Sequence, residues 1–319
     1  MKIVITDAQT VTKGDIDLKV LEQFGEVIIY PLTTSDELIE RVKNAEAILT
    51  NKSRITREVI ESCPNLRYIG LFATGYNNID TVAAHERGVT VCNAGSYSTD
   101  SVAQQVLAFM LNHASKIEKY NNFVQKGSWV NSPTFSPFVY DMSELSGKTV
   151  GIFGFGSIGK AVARIARTLN MRIIVNTRTE RENDRAAYGI TYVDFNTLLK
   201  ESDYLTVHCP LTTETDGIFS EDAFSNMKNG CYFINTSRGA VVNEQALADA
   251  VKSGHLSGAG IDVLCVEPML ADCPLLNVEG ITITPHVAWA PYETRKRLLG
   301  IVCDNIQLFL NGTPQNVVS

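Results

Sequence analysis

The chain has 319 residues, 45% hydrophobic and 20% charged, with a formal net charge of −7. This length suggests two domains, each able to bury a core. The composition excludes a disordered or low-complexity chain, and an acidic balance without a basic cluster argues against nucleic acid as a partner.

No apolar run approaches a membrane span. Met1–Asp7 is too short in its apolar part for a signal peptide and reads as a first strand. The seven cysteines are scattered and mostly sit in apolar stretches, with no CxxC or paired His/Cys spacing. They read as reduced core thiols of a cytoplasmic protein with no metal site.

Over the first hundred residues short β-rich runs (3–5, 27–30, 47–49, 68–72, 90–92) alternate with helical patterns (18–24, 35–44, 56–63). Ser35 and Thr56 are candidate caps. The alternation predicts a parallel sheet with helices on both faces. The strand ending at Phe72 runs into Ala73-Thr-Gly-Tyr-Asn-Asn-Ile-Asp80. Ligands in such sheets bind beyond the carboxyl ends of strands, so the amides of Thr74 and Gly75 suit a carboxylate. The same residues read equally as a plain turn with Asp80 capping the next helix.

Ser98-Thr-Asp100 supplies caps for a long helix to about Lys119, with Val102, Val106, Phe109, Met110 and Ile117 as its apolar stripe. Gly127 to Ser146 lacks periodicity and holds Trp129, Phe135, Phe138 and Tyr140, the mark of a functional or interface loop.

Gly154-x-Gly156-x-x-Gly159 then follows the apolar run Val150–Phe153 and opens a helical pattern through Asn170, with a second apolar run at Met171–Val175. In this strand–turn–helix–strand context the motif predicts dinucleotide binding. Gly154 allows the tight turn, Gly156 the approach of a pyrophosphate, and Gly159 the packing of helix on strand. Further strands are expected at 191–193, 205–208, 231–235, 259–263 and 281–284, with helices at 196–201, 220–226, 244–253 and 292–311. The expected fold is α/β: two doubly wound parallel-sheet domains. A Rossmann nucleotide-binding domain (100–291) is inserted into a flavodoxin-like substrate domain (1–99 plus 292–319).

An NAD site carries an acidic residue at the end of the second strand. Here Thr177 and Arg178 stand there. A hydroxyl and a guanidinium suit a 2′-phosphate, so NADP(H) is expected to be preferred and NAD(H) possible. Three further strand ends carry Arg238, Asp262, Glu267 and His286. Reduction of a ketone needs a proton donor and a cation that holds the substrate and polarises its carbonyl. Histidine suits the donor, a neighbouring Glu267 favours its charged form, and Arg238 matches a carboxylate. Asp262 is expected to accept from the nicotinamide carboxamide.

Together Gly154-Phe-Gly-Ser-Ile-Gly159, Ser237-Arg-Gly239, Asp262…Glu267-Pro268 and Pro285-His286 resemble the D-isomer-specific 2-hydroxyacid dehydrogenase family, across essentially the whole chain. The resemblance implies an enzyme with His286 as acid/base, Glu267 as its partner and Arg238 as substrate anchor. Thr74 and Gly75 match the carboxylate site. Phe155, Ser157, Ile158, Thr177, Arg178, Cys209, Pro210, Thr236, Ser237, Arg238, Asp262, His286 and Ala288 fall, with the three glycines, where the family contacts its cofactor. It also implies a homodimer through the nucleotide-binding domain, with 127–146 at the interface, and a site between two closing domains. Pro285-His-Val-Ala-Trp289 looks most like the glycerate dehydrogenase and hydroxypyruvate or glyoxylate reductase branch, with Trp289 narrowing the pocket for a small substrate. Rival readings are an NAD-dependent dehydrogenase of another D-2-hydroxy acid and a non-catalytic NAD(P)-sensing protein. Glu267 counts against formate oxidation.

Overall fold

A computed structural model describes residues Met1–Ser319. The chain divides into two compact units, residues 1–98 with 289–319, and residues 99–288.

The first unit begins with β1 (Lys2–Ile5), β2 (Glu26–Ile29), α1 (Ser35–Val42), β3 (Ala47–Thr50), α2 (Arg57–Glu61), β4 (Tyr68–Leu71), α3 (Thr81–Glu86) and β5 (Thr90–Cys92). The strands form a parallel sheet in the order β2-β1-β3-β4-β5. β3 and β4 are buried along their whole length, which is why they read as unbroken apolar runs. Residues 18–24 form a 3-10 helix. The cap of α1 is Thr34, not Ser35: the Thr34 amide donates to Glu37 at 3.1 Å, and only from Thr34 does an acidic residue fall three positions on. Thr56 does cap α2, and Asp80 caps α3 with an Ala83 N–H bond of 2.8 Å.

The second unit holds α4 (Thr99–Ser115), α5 (Ile117–Gln125), β6 (Thr149–Phe153), α6 (Ser157–Thr168), β7 (Arg172–Asn176), α7 (Glu182–Tyr188), β8 (Ile190–Tyr192), α8 (Phe195–Glu201), β9 (Tyr204–Val207), α9 (Glu221–Ser225), β10 (Tyr232–Asn235), α10 (Glu244–Lys252), β11 (Gly258–Ile261) and β12 (Ile281–Ile283). Its parallel sheet runs β12-β11-β10-β9-β6-β7-β8. Strand order reverses between β6 and β9, and in such sheets the crevice at that reversal takes the ligand. The final helix, α11 (Tyr292–Leu310), belongs to the first unit and adds Leu298, Val302 and Ile306 to the core built by Ile3, Ile5, Tyr68 and Phe72.

The single helix expected from Asp100 to Lys119 breaks at Lys116, which sits at φ +52°. Ile117 therefore leaves the apolar stripe and is 60% exposed. Residues 127–146 form no helix or strand, and Phe135 and Phe138 are each 89% exposed. All seven cysteines are free. Cys63, Cys92, Cys209 and Cys231 are buried as expected, whereas Cys265 is exposed and Cys273 and Cys303 are half-buried. No helix is long and apolar enough to cross a membrane.

Candidate active site

The glycine turn between β6 and α6 is shaped as its residue types require. Gly154 has φ +93°, and a Cβ there would meet the His208 carbonyl carbon and the Cys209 nitrogen at 2.8 Å. Gly159 presses on the Gly154 carbonyl, which a Cβ would meet at 2.5 Å. Gly156 caps α6, and a Cβ on it would enter open space. The space beside Gly156 leaves the backbone open to close approach, and as at any helix start the first-turn amides lack intrahelical acceptors. The Phe155 amide donates to the Thr177 hydroxyl at 3.4 Å, tying the turn to the end of β7. The Phe155 ring itself is buried against Tyr188 and Tyr192, so only its backbone faces the crevice. Glu180 and Glu182 pair with Arg185 at 3.1 Å each, leaving the exposed Arg178 without an ion pair.

Three adjacent strands end in the other candidates. Beyond β10, buried Asn235 accepts from the Ser237 amide and hydroxyl at 3.0 and 2.9 Å and donates to the Arg238 carbonyl at 2.8 Å. Arg238 is half-buried, donates to the Ser237 carbonyl at 2.7 Å, and has no carboxylate partner. A half-buried cation without a counter-charge calls for an anionic ligand. Beyond β12, His286 holds the left-handed φ of +53°, rare for a residue with a Cβ. Its Nδ1 lies 2.7 Å from Glu267 Oε2, and its Nε2 makes no hydrogen bond within the chain.

Asp262, at the end of β11, is 2% exposed and spends its carboxylate inside the chain. It accepts from the Thr284 hydroxyl at 2.5 Å and from the amides of Val287 and Ala288 at 2.9 and 3.0 Å. Burial pushes its carboxyl up, against the pull of those donors. The residue expected to meet the carboxamide therefore braces the turn that carries His286, and buried Ala288 contributes its amide to that brace. Asn235 was not singled out from the chain; a lone Asn closing an apolar strand is its only signal.

Cys209 is buried, and burial pushes its thiol up to about 11; exposed Pro210 accepts from the Thr215 hydroxyl at 2.7 Å. Thr236 is 8% exposed, and its hydroxyl is buried without a partner. A buried orphan hydroxyl is costly and is satisfied by a bound polar group. That orphan, the cradle at Gly156 and the free Arg178 all fit a dinucleotide. No group of His, Cys, Asp and Glu residues could hold a metal ion.

In the first unit, Asn93 and Gly95 frame the turn after β4: the Thr74 hydroxyl bonds the Gly95 carbonyl, and Asn93 donates to the Thr74 carbonyl at 2.8 Å. The amides of Thr74 and Gly75 find no acceptor in the chain, unlike that of Phe72, which bonds Thr50. Trp289 packs on the first unit's core, edge-on to Tyr97 with ring centroids 6.3 Å apart.

Residues 107–288 match the family model described as D-isomer specific 2-hydroxyacid dehydrogenase, NAD binding domain. The chain is 42% identical to a hydroxypyruvate reductase of Blautia hydrogenotrophica, covering 100% of both chains. The chain belongs to the D-isomer-specific 2-hydroxyacid dehydrogenase family. Among solved structures of similar fold are an acyclic imino acid reductase in complex with NADPH and D-Arg (TM-score 0.88, 30% identity, 100% of both chains) and a D-lactate dehydrogenase of Aquifex aeolicus complexed with NAD and lactic acid (TM-score 0.86, 26% identity, 98% and 96% covered).

This dehydrogenase is an enzyme that uses a nicotinamide cofactor. Its family match spans the glycine turn and the second-unit stretches that carry Arg238, Asp262, Glu267 and His286.

Proposed function

We propose that this chain is an NADPH-preferring reductase of a small 2-oxo acid, hydroxypyruvate or glyoxylate, forming the D-2-hydroxy acid. The observation that carries the reading is the unpaired guanidinium of Arg238 on one strand end, with the 2.7 Å Glu267–His286 pair on its neighbours. Arg238 takes the substrate carboxylate in its fork and polarises the carbonyl. Glu267 holds His286 by Nδ1, which leaves Nε2 to give a proton to the carbonyl oxygen as the hydroxyl forms. The nicotinamide, when bound, supplies the hydride to the carbonyl carbon. In the first unit, the amides of Thr74 and Gly75 have no acceptor in the chain and suit a carboxylate on their own account. Gly154, Gly156, Ser157, Ile158 and Gly159 hold the pyrophosphate through backbone, and Thr236 and Ser237 add hydroxyls.

NADPH preference rests on Thr177 where an acid would repel a 2′-phosphate, and on Arg178, which makes no ion pair although its charge reaches Glu214. The test is parallel oxidation of NADPH and NADH by hydroxypyruvate. NADPH is expected to give the higher kcat/KM. Arg178→Ala is expected to lower it by about ten- to a hundredfold, the worth of a charge-assisted bond, and to leave NADH within about twofold. Faster turnover with NADH would overturn the cofactor preference and leave the three catalytic residues standing.

We further infer a homodimer through the nucleotide-binding unit. Its support is the exposed apolar surface of residues 127–146, where Val130, Phe135 and Phe138 are 85%, 89% and 89% exposed. Sedimentation of the wild type should give a dimer, and the double variant Phe135→Ser, Phe138→Ser should dissociate. A wild-type monomer at micromolar concentration contradicts this.

A further inference from the structure

The loop 262–268 brings Glu267 to His286, yet Cys265, Val266, Glu267 and Pro268 all lie in solvent. Buried Val263 and Leu264, which packs on the core, anchor the start of the loop, and its exposed part keeps its shape through hydrogen bonds and close backbone packing. The Cys265 thiol donates to the Val242 carbonyl at 3.8 Å. Three further restraints act on the loop. Gly239 packs so closely on the Leu264–Cys265 peptide that any Cβ would overlap it. The Leu264 amide donates to Glu267 Oε1 at 3.0 Å. The next amide, that of Cys265, donates to Oε1 of Glu244 at 2.7 Å, a bond that spans 21 residues.

Glu244 is well placed to hold that amide. It is the first residue of α10, whose start is fixed by Asn243 accepting from the Ala246 amide at 3.0 Å. The backbone that carries Glu244 is therefore rigid, and so is the turn just before it that carries Arg238. The carboxylate reaches from this fixed helix to an otherwise exposed loop. The two successive amides of the loop thus end on two carboxylates, one that pairs with His286 and one that does not.

We propose that Glu244 is a positioning residue: its carboxylate, bonded to the Cys265 amide, fixes the loop that presents Glu267 to His286. The proposal rests on the reading of Glu267 and His286 as the acid/base pair. Glu244 touches neither substrate nor cofactor. Without its bond the Cys265 amide turns to water, the loop samples other arrangements, and Glu267 spends less time on Nδ1.

Two opposed substitutions test this in the full chain, with steady-state turnover of hydroxypyruvate and NADPH. Glu244→Gln keeps an oxygen in place and removes the charge. Glu244→Asp keeps the charge at the start of α10 and withdraws the oxygen by one methylene. Positioning predicts that Glu244→Asp loses about ten- to a hundredfold in kcat with little change in KM. A loss confined to kcat separates positioning of the acid/base pair from a role in substrate binding. Glu244→Gln should stay within about fivefold of the wild type.

A charge acting only on the helix start predicts the reverse order, with Asp tolerated and Gln less stable to heat, and that result would overturn the proposal. Wild-type kcat in both variants would overturn it as well. Glu267→Gln is assayed alongside: full turnover there would remove the acid/base pair itself, whereas an inactive Glu267→Gln beside a fully active Glu244→Asp overturns the positioning role alone.

Discussion

Replacing His286 by Asn should lower kcat for hydroxypyruvate reduction by about a hundred- to ten-thousandfold, the usual worth of a placed general acid, while NADPH binding stays within a few-fold. Asn is the informative substitution because His286 sits at φ +53°, a conformation Asn adopts more readily than other residues bearing a Cβ. Alanine would confound loss of the imidazole with backbone strain. The turn should survive, since it is held by the His286 amide on the Asp262 carbonyl at 2.8 Å and by the Asp262 carboxylate on the amides of Val287 and Ala288. What disappears is the ring whose Nδ1 meets Glu267 and whose Nε2 is open. Turnover within tenfold of the wild type, measured by steady-state NADPH oxidation, would exclude His286 as the proton donor.

Arg238→Gln should lower kcat/KM for hydroxypyruvate by about a hundredfold or more, as loss of a bidentate charge-assisted pair implies. The loss should appear in both KM and kcat, because the same guanidinium binds the carboxylate and polarises the carbonyl. Arg238→Lys should recover only part of it, since an ammonium is a point charge without the planar fork. Folding should be little affected: the side chain donates only to the neighbouring Ser237 carbonyl, and the backbone turn is tied by Asn235. An unchanged KM in Arg238→Gln would show that the substrate carboxylate is held elsewhere, and would shift attention to Thr74 and Gly75.

Much of the architecture is legible in the chain because strand and helix periods alternate cleanly and the central strands are buried on both faces. The glycine turn is legible for a stronger reason: each glycine answers to a separate steric demand. Gly154 needs a positive φ, Gly156 leaves a cradle, and Gly159 touches a carbonyl. The strand ends are legible because a charged residue closing an apolar strand needs a partner or a task. Arg238, Asp262, Glu267 and His286 all stand out on that ground, which does not tell a task from an internal partner.

Other features leave no such trace. Lys116 carries no residue-type signal for a left-handed backbone, so the break between α4 and α5 is invisible to periodicity. The first four residues of α7 are polar; its Arg185–Glu182 pair at i,i+3 is local, but the Lys160–Asp184 bond at 2.8 Å that ties it to α6 is visible only in the fold. The Asp262 carboxylate also depends on tertiary structure: an acid at a strand end in a nucleotide-binding fold suggests a cofactor contact, and only the folded turn reveals three internal donors.

The most direct test of the account is to incubate the purified chain with NADPH and hydroxypyruvate and determine the handedness of the glycerate formed. Consumption of NADPH with D-glycerate as the product is predicted, and His286→Asn should suppress both signals together. Formation of L-glycerate, or no turnover with either NADPH or NADH, would contradict the assignment of Arg238, Glu267 and His286 to reduction of this small 2-oxo acid.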